Sequence, residues 1–321
     1  MNLFVLTFGS GGAASTKYRW LQYANLFRRS GVNFHHAPLA GFRDFESLRE
    51  YDVVVLQKTI VSGSIFASIR QNSRRLIYDI DDRIWLSPDR QHSWFTHFRI
   101  RRRMKKIARG CDLCISANSV IAEDICDYGG ISAVIPMALD SAEWRYEEKT
   151  TGLFRIGWSG APKNLFYLHK VLPALRRLQA KYPEVEWQFH SGVDPQFDHF
   201  RYKHLPFVAG FEPSTVRGFH IGLVPLTDSP FARAKSPIKI LQYFASSVPV
   251  VASGFGATLE MVQDQRTGLV VRNEDEWETA VELLIRDRTL RTGLSDQGRS
   301  LFESRHEVSA VHPLLMRALS G

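Results

Sequence analysis

The feature that most constrains this chain is an alternation of short apolar runs with longer amphipathic ones, which occurs twice along its 321 residues. Short apolar runs bounded by turn residues are typical of buried strands, and apolar residues spaced three and four apart are typical of helices. Strands that alternate with helices pair in parallel, with right-handed crossovers. The pattern therefore predicts two doubly wound α/β domains, with ligands at the carboxyl ends of their strands.

A polar stretch at residues 138–151 separates the two repeats. We predict an N-terminal Rossmann-like domain over residues 1–145 and a C-terminal Rossmann-like domain over 146–305. A last helix, 306–321, is expected to pack back on the N-terminal domain. Two domains of about 150 residues are an ordinary size for folding units.

Composition indicates a globular protein, because 44% of the residues are hydrophobic and 23% are charged. Its three cysteines cannot form a disulfide framework, which fits a reducing compartment. No apolar run approaches the ~20 residues of a membrane span. The first residues also lack the charged start and cleavage site of a signal peptide. Cys111 and Cys114 lie in a strand-like run and are interpreted as core residues rather than zinc ligands. We therefore expect a cytoplasmic protein.

One segment, residues 98–110, carries seven basic residues and no acidic one, in a chain of net charge +8. Such a cluster indicates an anionic partner without naming it. One hypothesis is that it holds the protein on the inner face of an anionic membrane. The alternative is an ordinary solvated helix face.

A glycine-rich turn follows the first apolar run and has the GxGxxA form of the dinucleotide fingerprint. NAD recognition also needs an acidic residue at the end of the second strand, and none is present, which argues against a dehydrogenase. We predict that Gly11, Gly12, Tyr18 and Arg19 line the acceptor side of a cleft between the two domains. The alternative is a plain turn between strand and helix.

Three aspartates, Asp79, Asp81 and Asp82, follow another buried run. Such a pattern can hold a divalent cation, but we predict no metal here. Asp81 and Asp82 are expected to act at the acceptor side. In the alternative interpretation they cap the next helix or pair with Arg83.

The most specific segment is residues 231–253, where Lys235 and Lys239 surround Ser236-Pro237 at the start of an amphipathic helix. Proline suits the first turn of a helix, whose free N–H groups attract anions. The alternative is a surface helix whose lysines are solvated and bind no ligand. The helix leads directly into a buried strand, so its start is predicted to lie at the ligand edge of the sheet.

A second anion-binding turn is predicted at residues 156–168, where a strand is followed by Gly160 and then by Lys163 and Asn164 before a helix. Backbone N–H groups and a further cation would converge there. Together with Lys239, this turn predicts a diphosphate site in the C-terminal domain.

These segments resemble, in the same order, those of the retaining GT-B-fold glycosyltransferases of family 4 (group 1), in particular a bacterial polysaccharide subgroup. The matching stretches are YDIDDRIW, IGWSG, IGLVPL and KSPIKILQYFASSVPVVAS, and the resemblance is strong over residues 154–275. It implies that a sugar passes with retention from a nucleotide-diphosphate sugar to a hydroxyl of a glycan or lipid-linked acceptor. No cofactor is implied.

The resemblance also assigns individual residues. The family's two donor-site glutamates, eight residues apart, match Ala234 and Gln242, and its arginine–lysine pair falls near Ala161 and Lys163. Glu260 matches a donor-side acid. Gln242 can still bond ribose hydroxyls, whereas the two alanines lack the family's charge.

Fixed cations stabilise the negative charge that develops on a leaving diphosphate. Lys163 and Lys239 are the predicted catalytic cations, and Lys239 or Lys235 is expected to supply the charge of the missing arginine. Asp82 is predicted to position the acceptor. The expected route is frontside attack by the acceptor hydroxyl, whose proton goes to the leaving phosphate.

Other functions remain open at this point. A sugar-nucleotide epimerase or a phosphorylase would use the same fold, and a degenerate transferase would bind the donor without turnover. A non-catalytic nucleic-acid-binding protein would use the basic segment but would leave the donor-like loops unexplained, so no nucleic acid is expected.

Overall fold

The structure, a computed structural model, describes residues 1–9, 12–86, 93–144 and 152–321. These residues form two compact units. Unit 1 comprises Met1–Ala138, Ser229–Ser236 and Val308–Gly321, and unit 2 comprises Leu139–Asp228 and Pro237–Glu307. The last helix therefore belongs to unit 1, as does the short segment Ser229–Ser236 from the second half of the sequence.

The first part of the chain alternates strands and helices as the sequence predicts. In order, it forms β1 (Asn2–Thr7), α1 (Ala14–Arg19), α2 (Ala24–Arg29), β2 (Asn33–Pro38), β3 (Val53–Gln57), α3 (Gly63–Gln71), β4 (Arg75–Ile80), α4 (Trp94–Gly110), β5 (Leu113–Ser116), α5 (Ser119–Asp127) and β6 (Ser132–Val134).

The remainder repeats the alternation with longer terminal helices. It forms β7 (Arg155–Ser159), α6 (Phe166–Lys181), β8 (Glu186–Ser191), β9 (Lys203–Pro206), α7 (Glu212–Arg217), β10 (Ile221–Val224), α8 (Pro230–Arg233), α9 (Ile238–Ala245), β11 (Val250–Ser253), β12 (Leu269–Val271), α10 (Glu276–Arg286), α11 (Arg288–Arg305) and α12 (Val308–Ser320).

Unit 1 is built on a six-stranded parallel sheet in the order β2-β1-β3-β4-β5-β6. Its central strands β3 and β4 are almost wholly buried, since helices cover both faces. The chain leaves β1 for β2 on one side and then continues with β3 on the other, so the topological switch point lies between β1 and β3. Ligands are expected at the carboxyl ends of these two strands.

Unit 2 has its own six-stranded parallel sheet, in the order β12-β11-β10-β7-β8-β9. This is the strand order of the dinucleotide-binding Rossmann fold, with its switch point between β7 and β10. Its core packs α6 and α10 on the sheet through residues such as Leu175, Phe189 and Val281. The predicted pair of doubly wound sheets is thus confirmed.

Two local features interrupt the regular elements. Helix α1 ends at Arg19, because the backbone leaves the helical region at Trp20, where φ is −133°; the fully buried Trp20 side chain donates to Asp79 inside unit 1. Strand β9 ends at Pro206, and the following Phe207 and Val208 are about half exposed.

Cys111 and Cys114 are buried among apolar side chains of unit 1. Burial raises the pKa of the Cys114 thiol to about 12, so the thiol stays protonated and behaves as an apolar group. Among the helices of the described ranges, none is both long and apolar enough to cross a membrane.

Candidate functional site

The switch point of unit 2 is bridged by one side chain from α9. The Tyr243 hydroxyl accepts a hydrogen bond from the backbone N–H of Ser159 at the end of β7, at 3.2 Å. It donates to the carbonyl oxygen of Leu223 in β10, at 3.4 Å. Tyr243 is fully buried, so it fixes the two strand ends between which a Rossmann-type sheet binds its ligand.

Gly160, directly after β7, is required by packing. A Cβ atom at this position would lie 2.3 Å from the Trp158 ring, and the Gly160 N–H donates to the His190 carbonyl at 3.0 Å. The His190 ring also lies 3.0 Å from the Ser159 hydroxyl. Burial lowers the pKa of His190, so this histidine is neutral at pH 7. Gly160 therefore lets the chain turn tightly between two strand ends.

The turn that follows presents the predicted cation Lys163. A short 3₁₀ helix spans Pro162–Asn164, and α6 begins two residues later at Phe166. Lys163 is exposed and Asn164 is half-buried. Lys163 is thus available to an anionic ligand at the carboxyl edge of the sheet.

Lys239, the second predicted cation, lies in the first turn of α9 and is already paired. Its Nζ atom lies 2.8 Å from Oε1 of Glu212, the first residue of α7. Burial alone would raise the pKa of Glu212, but Lys239 and hydrogen bonding lower the pKa below its ordinary value. Gln242, almost fully buried, also bonds Glu212. Glu212 therefore stays ionised and holds Lys239 in place.

The rest of the predicted donor segment is divided between the two units. Pro237 precedes the first helical residue of α9 rather than lying inside the helix. Lys235 and Ser236 belong to unit 1, where the Ser236 hydroxyl donates to the backbone carbonyl of Asp81. Glu260 is exposed at the end of a 3₁₀ turn in unit 2.

The carboxyl edge of the unit 1 sheet carries a compact charged cluster around Lys58, the residue after β3. The Lys58 ammonium lies 2.7 Å from Asp81 Oδ1 and 2.6 Å from Asp82 Oδ2. It also donates to the Ser15 hydroxyl at 3.0 Å. Burial by itself would lower the pKa of Lys58, but the two aspartates outweigh burial and raise the pKa. This lysine is therefore charged throughout the physiological range.

Asp79 has a different role from the two aspartates after it. It is buried inside unit 1 and accepts hydrogen bonds from Arg19, at 2.5 Å, and from the Trp20 indole, at 2.8 Å. Arg19 also donates to the carbonyl oxygen of Ile135 at 2.8 Å. Arg19, predicted to touch an acceptor, is thus engaged in a buried ion pair.

The other residues of the glycine turn lie as follows. Tyr18 is buried, Gly12 is exposed, and Gly9 has a positive φ of 75° that favours glycine. Gly11 lies outside the described residues.

The alternative interpretation of Asp81 and Asp82 does not match the structure. Arg83 pairs with Asp124 of α5, at 2.6 Å, and α4 is capped by the Ser93 hydroxyl. Across the described ranges, no group of three or more His, Cys, Asp or Glu side chains could hold a metal ion.

Sequence reasoning considered Lys58 as a strand-end residue that could face the cleft, but it missed two residues that shape these edges, His190 and Glu212. His190 lies one residue before the end of β8, and Glu212 begins the short helix after β9. Position at a strand end is therefore the signal that could have found them. Their contacts depend on the sheet order, which no local pattern reveals.

The basic helix α4 packs on unit 1 through Met104, Ile107 and Ala108. Its first turns instead expose aromatic rings. Trp94 stacks on Phe98, with 5.9 Å between the ring centroids. The exposed fractions of Trp94 and Phe95 are 71% and 77%. We call this surface the aromatic–basic patch, and its exposed residues are Trp94, Phe95, Phe98, Arg99, Arg101 and Arg102.

Comparison with known proteins agrees with the architecture of unit 2. Residues 154–287 match the family model described as "Glycosyl transferases group 1". The matched residues make up most of unit 2. The match covers both cation-bearing loops, around Lys163 and Lys239, and the Glu212 pair. A search of curated protein sequences gave no match.

Solved structures resemble the chain over its whole length. HepE from Anabaena, crystallised with UDP, superposes with a TM-score of 0.71 at 18% identity and covers 99% of both chains. Sucrose-phosphate synthase from Thermosynechococcus elongatus gives a TM-score of 0.76 at 15% identity, covering 99% of this chain and 98% of the other. A glycosyltransferase from Rickettsia africae gives 0.73 at 9% identity, covering 99% and 97%. The fold is therefore the predicted GT-B fold, and the family match lies in its second half.

Proposed function

We propose that this protein is a glycosyltransferase that moves a sugar from a nucleotide-diphosphate sugar to a hydroxyl of a glycan or lipid-linked acceptor. The observation that carries the proposal is the carboxyl edge of the group 1 domain. There Lys163, in a short 3₁₀ turn, and Lys239, in the first turn of α9, lie beside a Rossmann-type switch point. A diphosphate is the ligand that such cations and free N–H groups bind best.

A uridine nucleotide is the donor type we expect first. Anabaena HepE was crystallised with UDP and with UDP-glucose, which supports a UDP-sugar for this chain. We assign the donor to Gly160, Lys163, Asn164, Lys235, Ser236, Pro237, Lys239, Gln242 and Glu260. Gln242 has a buried Oε1 atom without a partner among the described residues, and it can accept a hydrogen bond from a ribose hydroxyl.

In the reaction, the bond between the anomeric carbon and the diphosphate oxygen breaks, and a bond from that carbon to the acceptor oxygen forms. Lys163 and Lys239 stabilise the charge on the leaving diphosphate, which takes the acceptor's hydroxyl proton. We propose retention of configuration in the manner of family 4, with neither a cofactor nor a metal. Asp81, Asp82, Tyr18 and the glycine turn are assigned to the acceptor.

A ligand screen tests the donor assignment. Thermal shift with UDP, GDP, ADP and dTDP, free and as sugar conjugates, should identify one nucleotide that stabilises the protein. Lys163→Ala should then weaken binding of the diphosphate about tenfold, which corresponds to ~1.4 kcal/mol, and leave binding of the free nucleoside unchanged.

Lys170→Ala is the matched control, because Lys170 is an exposed lysine of α6 that pairs only loosely with Glu274, at 3.8 Å. Equal losses for the nucleoside and the diphosphate in Lys163→Ala would contradict the assignment. Stabilisation by none of the four nucleotides would contradict the proposed function.

We further propose that the aromatic–basic patch holds the enzyme on an anionic membrane that carries the acceptor. Exposed Trp and Phe rings favour the membrane interface, and each neighbouring basic residue adds about 1 kcal/mol near an anionic surface. The joint exposure of aromatic and basic side chains on α4 favours this over a solvated helix face, since solvated faces rarely expose neighbouring large rings.

Vesicle sedimentation separates the two interpretations. The wild type should bind vesicles containing phosphatidylglycerol but not neutral phosphatidylcholine vesicles. Replacing Arg99, Arg101 and Arg102 by glutamine should lower binding by about 100-fold, from ~1 kcal/mol per charge. Serine at Phe207, Val208 and Phe211, which are similarly exposed in unit 2, is the control and should leave binding unchanged. Equal binding to both vesicle types would contradict the membrane proposal.

A further inference from the structure

The charged cluster of unit 1 lies where a doubly wound sheet binds ligands. Lys58 directly follows β3, and Phe8 directly follows β1, so both border the switch point of this sheet. The Phe8 N–H donates to the Gln57 side chain at 3.0 Å, and Gln57 donates in turn to the Ser15 carbonyl at 3.1 Å. The two strand ends are thereby fixed around Lys58.

The backbone of Lys58 is unusual for a residue with a side chain. Its φ is 44°, in the left-handed region, a conformation that costs of order 1 kcal/mol for residues other than glycine. The conformation is held by a hydrogen bond from the Lys58 N–H to the Asp79 carbonyl, at 2.8 Å. A glycine at this position would avoid this conformational cost. The interactions of the lysine side chain therefore offset it.

The Lys58 ammonium has three protons and three close oxygen partners. These are the Ser15 hydroxyl, Asp81 Oδ1 and Asp82 Oδ2, at 3.0, 2.7 and 2.6 Å. Its side chain is only 11% exposed. Lys58 is therefore fully engaged within the protein and acts on a ligand only through the carboxylates it holds.

Only one of those carboxylates is open to a ligand. The Asp81 side chain is 7% exposed, whereas that of Asp82 is 28% exposed. Lys58 thus anchors one oxygen of a carboxylate that remains accessible. A carboxylate held in this way is suited to accept a hydrogen bond from a hydroxyl group.

We propose that Lys58 is a positioning residue, which orients the Asp82 carboxylate and keeps it ionised so that it can accept a hydrogen bond from the acceptor hydroxyl. The inference rests on the proposed glycosyltransferase function, because the hydroxyl is that of its acceptor. Lys58 contacts neither donor nor acceptor in this account.

The charges that act on Asp82 oppose one another. Burial and the neighbouring Asp81 carboxylate raise the pKa of Asp82, while Lys58 and, from segment 229–236, Lys235 lower it. Among the described residues, these ionisable groups have the largest effects on its pKa. Removing Lys58 should therefore raise the pKa of Asp82 further, and removing the charge of Asp81 should lower it.

The test is the pH dependence of donor turnover in the full-length protein, followed as release of nucleoside diphosphate from the nucleotide sugar selected by the ligand screen. In Lys58→Met, the acidic limb of the profile should move up by about 1–3 pH units, the effect of losing an opposite charge at this distance. Turnover at pH 6 should fall at least tenfold and recover partly at higher pH. Lys58→Arg keeps the charge and should keep the limb near its wild-type position.

Two further variants test the direction in which the acidic limb moves. Asp81→Asn should move the limb to lower pH, opposite to Lys58→Met. Ser15→Ala removes a neutral partner of the same ammonium and should leave the limb in place. If Lys58→Met lowers turnover by one factor at every pH with the limb unmoved, Lys58 is merely structural and the inference is wrong.

A second measurement separates this inference from the proposed function. The titration of Asp82, followed by carboxyl ¹³C NMR and assigned with Asp82→Asn, needs no substrate. An upward shift in Lys58→Arg or none in a folded Lys58→Met would overturn the role of Lys58 even if turnover is robust. If no nucleotide sugar is turned over but the titrations shift as expected, the electrostatic role stands and the function is what fails.

Discussion

The carboxyl edges of the two sheets arrange their charges differently. In unit 1 both cations are paired with carboxylates and one carboxylate is in excess: Lys58 lies between two aspartates, and Arg19 is paired with Asp79. In unit 2 Lys163 is exposed, and Lys239 has a single carboxylate partner, Glu212, among its described contacts. An edge with available cations suits an anionic ligand, whereas an edge with an oriented carboxylate suits a neutral hydroxyl compound.

The same fold therefore supports two recognition chemistries, and the difference comes from side chains at equivalent strand ends. Each switch point is bridged by one buried side chain, Gln57 in unit 1 and Tyr243 in unit 2. These bridges fix the backbone and leave the flanking residues to set the charge.

The largest effect is expected from the buried ion pair of unit 1. Arg19→Ala leaves the carboxylate of Asp79, which is 1% exposed, without its charged partner, and should lower the free energy of unfolding by about 3–5 kcal/mol. Arg83→Ala breaks a pair whose side chains remain 14% and 21% exposed, and should cost about 1.5–3 kcal/mol. Denaturant unfolding of both variants measures the difference. A loss for Arg83→Ala as large as that for Arg19→Ala would contradict the distinction.

A second pair of variants concerns the two alanines that stand where the family resemblance expects charge. Ala234 is fully buried in unit 1, and its carbonyl accepts a hydrogen bond from Asn118 at 3.0 Å. Ala161 is exposed in unit 2. Ala234→Glu buries an unpaired carboxylate and should destabilise the protein by about 3 kcal/mol.

Ala161→Arg, by contrast, should change stability by less than about 0.5 kcal/mol, as exposed substitutions do. It should also tighten UDP binding about tenfold by adding a bidentate donor for the diphosphate. Thermal unfolding and isothermal titration check both results. A stable Ala234→Glu protein would show that this position can hold the family's glutamate after all.

The sequence was sufficient for the fold and for the positions of Lys163 and Lys239 at the carboxyl edge of the second sheet. Repeated alternation predicts two parallel sheets, and cations at strand ends predict the loops around Lys163 and Lys239. Both inferences use only neighbours along the chain. The partner of Lys239 was out of reach, because Glu212 lies 27 residues away and meets it only through the order of the strands.

Roles within the aspartate motif were also out of reach for the sequence. Asp79 and Asp81 are two residues apart, so in a strand both point to the same face. Asp79 becomes the buried partner of Arg19 and Trp20, and Asp81 becomes a partner of Lys58. Their roles differ because β4 ends at Ile80, so that Asp81 and Asp82 follow the strand and turn toward the switch point.

The smallest effect is a pair of stability changes of opposite sign. The pKa of Glu212 is lowered in the folded protein, so its contribution to stability is present above the unfolded-state pKa of about 4.3. It is lost as the pH falls through the folded-state pKa. The pKa of Asp82 is raised, so folding is penalised as the pH rises from about 3.9 through the folded-state pKa, and the full penalty is present at pH 7.

At pH 7, Glu212→Gln should therefore lower the unfolding temperature and Asp82→Asn should raise it, each by about 2–4 °C, equivalent to ~1 kcal/mol. Both differences should shrink as the pH falls, that of Asp82→Asn first, because the pKa of Asp82 is raised and that of Glu212 is lowered in the folded protein. Thermal unfolding from about pH 3 to pH 7 follows the two curves.

In a Lys239→Met background, the effect of Glu212→Gln at pH 7 should disappear or reverse, because the charge that lowers the pKa of Glu212 has been removed. If Asp82→Asn instead lowers the unfolding temperature at pH 7, the Asp82 carboxylate stabilises the fold, and the contrast between the two sheet edges does not extend to stability.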